Sequence, residues 1–124
     1  MSQVTVESIR REATAACTCA RCEMTVRWMP GSEPADLPAN WSRENGQAFC
    51  LSCRRARAAE AGLADASERV TLAERAQIRA TALIEFELTR DPARPNGTIA
   101  RACRSSVPAV VKARRRLGLA DHTA

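Results

Sequence analysis

The sequence predicts an α+β chain that is mainly α-helical, with a small cysteine-stapled module of a β-hairpin and a helix followed by a unit of three helices. Three observations predict it. Two Cys-x-x-Cys pairs, Cys19/Cys22 and Cys50/Cys53, bracket a stretch that alternates and then turns back. From residue 71 onward, apolar residues recur at helical spacing between recognisable start and stop residues. Aromatic residues make up only 3% of the 124 residues. Few large side chains are therefore available to fill a core, and a small module short of core needs a staple. The expected boundaries are a first module over 1–64, a linker over 65–70, a helical domain over 71–118 and a flexible tail over 119–124.

Val4–Ala16 carries Val6, Ile9, Ala13 and Ala16 at helical spacing and predicts a short N-terminal helix. Glu23–Met29 alternates, with Met24, Val26 and Trp28 on one face, and predicts a strand. Pro30, Pro34 and Pro38 make the stretch to Asn40 a loop. Asn45-Gly46 is a hairpin turn signal, and Gln47–Phe49 returns as a strand into the second cysteine pair. The run RRARAAEAGL after Cys53 favours a helix ending near Gly62. Trp28 and Trp41 are expected to cover the module's minimal core, with exposure as a docking anchor for a protein partner as the alternative.

A Cys-x-x-Cys turn lets two thiolates bind one metal ion while backbone amides stabilise their charge. Cys19, Cys22, Cys50 and Cys53 together supply the four soft ligands of a closed tetrahedral Zn²⁺ site. Cys17, two residues before Cys19, is an alternative ligand, or a fifth thiolate for an iron–sulfur cluster. Cys103 is expected to be a small core residue. The order of knuckle, hairpin and second ligand pair at a helix N-terminus resembles a treble-clef zinc finger over about Cys17–Gly62. That resemblance implies a structural zinc. The only histidine, His122, lies in the polar tail, and no nucleophile–base set or phosphate-binding glycine loop is present, so no enzymatic activity is expected.

In the second half, Thr71 and Glu74 have capping-box spacing, and Asp91-Pro92 stops the helix they open near Arg90. Leu72, Ala76, Leu83 and Phe86 form its expected apolar stripe. Asp91–Gly97 reads as a rigid turn, with Asn96 or Thr98 capping a short helix that contains Ile99 and Ala100. Cys103-Arg104-Ser105 makes the next turn, and Ser106 caps a last helix that tolerates Pro108 in its first turn. Val110, Ala113, the stem of Arg114 and Leu117 are expected to face inward, and Gly118 to stop the helix. Ile99, Ala100, Ser106, Val110, Lys112 and Arg114 resemble the bacterial helix-turn-helix pattern I-A-x-x-x-G-V-S-x-x-T-V-x-R-x-R. Arg104 stands where that pattern has Gly, Ser105 where it has a small apolar residue, and Ala109 where it has Thr.

Charge separates the two halves. Residues 1–66 carry eight arginines and eight acids, whereas residues 92–124 carry seven bases and one acid. Such an excess is an electrostatic footprint for a polyanion. The helix-turn-helix resemblance implies that the last helix enters the major groove of double-stranded DNA. Lys112 is then expected at a base acceptor, Val111 and Pro108 at base edges, and Ser105 and Ser106 at bases or phosphates. Arg101, Arg104, Arg114, Arg115 and Arg116 are expected at phosphates. The expected function is a sequence-specific transcriptional regulator. The alternatives are an adaptor that docks on transcription machinery through its zinc module, and an RNA-binding zinc protein. A lone three-helix reader contacts few bases, which leaves room for a homodimer or a protein partner. No apolar run is long enough to span a membrane, and MSQVTVESIRRE lacks a signal peptide's apolar core, so the cytoplasm is the expected compartment.

Overall fold

The computed structural model describes residues 16–29, 31 and 36–120. Residues 4–15 of the expected N-terminal helix and His122 lie outside them; Ala16, its last residue, is in a strand instead. The described residues are α+β and mainly helical. Strands β1 (Ala16–Thr18), β2 (Thr25–Arg27), β3 (Ser42–Glu44) and β4 (Gln47–Phe49) precede helices α1 (Leu51–Ala64), α2 (Leu72–Arg90), α3 (Asn96–Ala102) and α4 (Val107–Leu117). The described residues form two compact units, the first ending at Arg54 and the second beginning at Arg55. Their division falls inside α1, upstream of the boundary expected at residue 64. Residues 55–64 belong with the second unit because Arg55 pairs with Glu87 and Gly62 packs against Ala82 and Ile78.

The first unit holds two antiparallel hairpins where one was expected. β1 pairs with β2, Cys17 opposite Val26, and β3 pairs with β4, Arg43 opposite Ala48. The first arises because the Cys19–Cys22 turn folds the chain back on itself: the Cys19 amide donates to the Met24 carbonyl at 2.8 Å and the Glu23 amide to the Cys19 carbonyl at 3.0 Å. The second closes at Asn45 and Gly46, whose φ values of 51° and 78° meet the left-handed requirement of a type I′ turn.

In the second unit, the Thr71–Glu74 capping box opens α2 as expected, and the Asp91 amide closes it on the Glu87 carbonyl. The apolar stripe differs from the expected one. Leu72 and Ala76 are exposed, and the core side of α2 is Ile84 and Leu88, with Leu83 packed beside them. The second half of α2 is apolar on two sides, so the spacing Leu72/Ala76/Leu83 set the wrong register by part of a turn. Ile84 and Leu88 meet Ile99, Ala100, Cys103, Val110 and Ala113 from α3 and α4. Full burial of each large member contributes about 1.5–3 kcal/mol. α1 ends at Ala64, close to the expected stop near Gly62; a Cβ at Gly62 would stand 2.8 Å from Ala82 Cβ, so the glycine permits close helix approach.

Neither Asn96 nor Thr98 caps α3: its N-cap is Pro95, without a side-chain bond, and Asn96 is buried inside the helix's first turn. Ser106 does cap α4, accepting from the Ala109 amide at 3.3 Å. Gly118 ends α4 at φ 70°, while the Leu119 amide reaches the Arg114 carbonyl and the Leu119 side chain packs on the core. Leu117 is 40% exposed rather than inward, because this closing turn gives Leu119 the core contact instead. Among the described residues no helix is long and apolar enough to cross a membrane.

Candidate metal centre and basic surface

The sulfur atoms of Cys19, Cys22, Cys50 and Cys53 lie within 4.8 Å of one another. Cys19 and Cys22 sit on the turn between β1 and β2. Cys50 follows β4 directly, and Cys53 lies one helical turn on, in the first turn of α1. A tetrahedral ion with metal–sulfur bonds of about 2.3 Å requires sulfur–sulfur edges of about 3.8 Å. The Cys22–Cys50 edge is 3.8 Å. Cys19, Cys50 and Cys53 are buried and Cys22 is exposed at the rim, while Phe49 and Trp41 pack around the group. Trp28 is half-buried outside this cluster.

The electrostatics suit a cation. Burial is the largest influence on the Cys19 thiol and raises it, but the backbone amides of Cys22, Cys50 and Arg21 outweigh burial and hold it down at about 6. The Cys50 amide approaches Cys19 Sγ at 3.5 Å. Burial is also the largest influence on Cys53, and the neighbouring Cys50, Cys19 and Cys22 add to it, pushing the thiol up to about 12. The Cys53 thiol thus resists losing its proton beside the other sulfurs, and a bound divalent ion would remove that resistance. The group can hold one metal ion, with all four donors from the protein. Cys17 lies on β1, half-buried and outside the group, and Cys103 is buried in the helical core, where burial raises its thiol.

The basic residues expected to meet DNA fall into three situations. Arg101, Arg104, Lys112 and Arg115 are exposed on α3, the connecting turn and α4, with Ser106 and Pro108 exposed beside them and Ser105 and Val111 half-buried. Arg104 adopts φ 53°, so the turn keeps the left-handed conformation that glycine supplies in the resembling pattern. Arg116 donates from Nε and Nη2 to Glu85 Oε1 at 3.2 and 3.0 Å, across half-exposed surface.

The assignment of Arg114 to a phosphate is overturned. Its side chain is 1% exposed. Nε donates to Asn96 Oδ1 at 2.6 Å, Nη1 to the Pro92 carbonyl at 2.8 Å and Nη2 to the Arg94 carbonyl at 2.7 Å. It follows Val110 by one turn, and the whole side chain, not just its stem, enters the interior. A second buried polar centre was missed. Glu87 accepts from Arg55 Nε at 2.6 Å, Arg90 Nη2 at 2.7 Å and Arg94 Nη1 at 3.0 Å. Burial is the largest influence on its carboxyl and raises it, but the bonds from Arg55 and Arg90 prevail and hold it below the ordinary 4.5. The signal was a carboxylate between Ile84 and Leu88 on the inward stripe. No protein-family model, curated protein or solved structure matches this chain.

Proposed function

We propose that the chain is a sequence-specific double-stranded DNA-binding transcriptional regulator in which α3, the turn and α4 contact the duplex and one structural Zn²⁺ holds the first unit. The observation that carries this reading is the exposed set Arg101, Arg104, Lys112 and Arg115 on a stretch, residues 92–120, that contains no acidic residue. Ser106 caps the helix that would enter the groove, and Lys112, exposed near its middle, is assigned to a base acceptor such as guanine. Arg101, Arg104 and Arg115 serve phosphates, which set orientation without reading sequence. Zinc is favoured by four soft thiolate donors within 4.8 Å of one another, which fill a four-coordinate site and leave no position for a reactive water.

Selection from a random duplex pool tests the reading: a groove reader enriches a motif, whereas an adaptor with nonspecific affinity or an RNA-binding protein does not. With three phosphates neutralised by Arg101, Arg104 and Arg115, log K falls against log salt with a slope of about −3. Lys112→Ala narrows the gap between selected and scrambled duplex, while Arg101→Ala weakens both alike. Failure to enrich any motif overturns sequence-specific reading.

A further inference from the structure

The buried contacts of Arg114 carry an inference that rests on the DNA-binding reading. All three acceptors of its guanidinium are neutral oxygens: the Asn96 side chain and the Pro92 and Arg94 carbonyls. Pro92 and Arg94 lie between α2 and α3, and Asn96 is the first residue of α3, whereas Arg114 is on α4. Arg94 continues the chain of bonds through its own Nη1 to Glu87 on α2. One planar group with three donors in fixed directions therefore ties α4 to the entry of α3 and, at one remove, to α2.

The buried contacts of Ile99, Ala100 and Cys103 with Val110 and Ala113 also hold α3 against α4, but they are apolar and carry no fixed direction. α3 has no side-chain cap, and its turn into α4 carries Arg104 at φ 53° rather than glycine. A cation buried among neutral oxygens is a weak source of net stability compared with an apolar side chain of its volume. Its effect lies in direction. Lys112 is two residues from Arg114, about 200° around the helix, so fixing one side of α4 aims the other. We propose that Arg114 is a positioning residue: it sets the angle at which α4 presents Lys112 and Arg115 to the duplex, and itself touches no phosphate.

The test compares the full chain with Arg114→Lys, Asn96→Ala and Asn96→Asp on the duplex that the unaltered protein enriches and on a scrambled duplex, well below each melting temperature and across a salt series. Lysine keeps the charge but cannot reach three acceptors. Arg114→Lys and Asn96→Ala are expected to lose about tenfold or more on the selected duplex and much less on the scrambled one, at an unchanged salt slope. Asn96→Asp, which keeps the Oδ1 acceptor, recovers the selectivity. Should Arg114→Lys not fold, the two Asn96 variants decide alone. Selectivity equal to the unaltered protein in both the lysine and alanine variants overturns the proposal. So does equal loss on both duplexes, which marks a merely structural role. Absence of duplex binding by the unaltered chain instead overturns the DNA reading itself, a separate outcome.

Discussion

The two units are held by different physics. In the first, the buried cluster is three of the cysteines, Cys19, Cys50 and Cys53, with Phe49, and Trp41 packed against it. Its hairpins have strands of three residues each, and isolated two-stranded hairpins of that size are marginal in water. In the second, an aliphatic core from α2, α3 and α4 is flanked by two buried polar centres, Glu87 and Arg114. The lesson concerns composition. A chain poor in aromatic residues builds one unit by burying aliphatic stripes of helices, and where short strands provide no such stripe it gathers four cysteines that can hold a metal ion.

Stripping the metal should break that comparison most sharply. Structural zinc contributes on the order of 10 kcal/mol or more in small zinc modules. A strong chelator, or Cys50→Ser, is expected to collapse the amide dispersion of the first unit while resonances of Ile84, Leu88, Ile99 and Val110 persist. Simultaneous loss of both sets in the NMR spectrum would show that the units do not differ as described. Next in size is Glu87→Ala, which leaves three arginines facing a buried gap and should cost the second unit about 3 kcal/mol in denaturant unfolding, with metal affinity unchanged. Because the folded carboxyl sits below its ordinary 4.5, its stabilisation is complete above the unfolded value and fades as pH falls through the lower folded value. Glu87→Gln should therefore flatten the acid limb of the stability profile; an acid limb as steep as that of the unaltered protein would assign it elsewhere.

Gly62→Ala comes third. Helix propensity favours alanine by about 1 kcal/mol, but the clash with Ala82 costs about 1–3 kcal/mol. A net loss near 1 kcal/mol is expected, and a raised melting temperature would mean that the α1–α2 approach is looser than 2.8 Å implies. The smallest effects come from one substitution made in each unit. Glu23 in the cysteine knuckle and Arg104 in the helical turn both hold positive φ, at 65° and 53°. Replacing either by glycine relieves about 1 kcal/mol of strain. The gain should appear as tighter metal binding for Glu23→Gly and as a higher melting temperature for Arg104→Gly, and the opposite assignment would blur the distinction between the units.

Much of this was readable from residues alone wherever the decisive contact was local. The four metal-site cysteines, the Asn45-Gly46 turn, the Thr71–Glu74 box, the Ser106 cap and the Gly118 stop each depend on neighbours within a few positions. Val110 was placed in the core because its helix must turn an apolar side chain back on the preceding one, and Cys103 because it is a small apolar residue beside the turn. The misses share the opposite property. The register of α2 was set by which of two apolar sides met α3 and α4, and Leu117 yielded its place to Leu119 through the way the chain leaves the helix.

What the amino-acid order determined by itself was the set of short-range devices: paired thiols two residues apart, caps, stops and a stretch of unbalanced positive charge. Their reach is one turn of helix or one hairpin, so propensity and spacing suffice. Only the tertiary structure decided which arginines remain available to a polyanion. Arg114, Arg115 and Arg116 are adjacent and chemically identical, yet one is enclosed among carbonyls, one is exposed and one is paired with Glu85. Successive residues of a helix point about 100° apart, so the surroundings of each are fixed by elements distant in the chain.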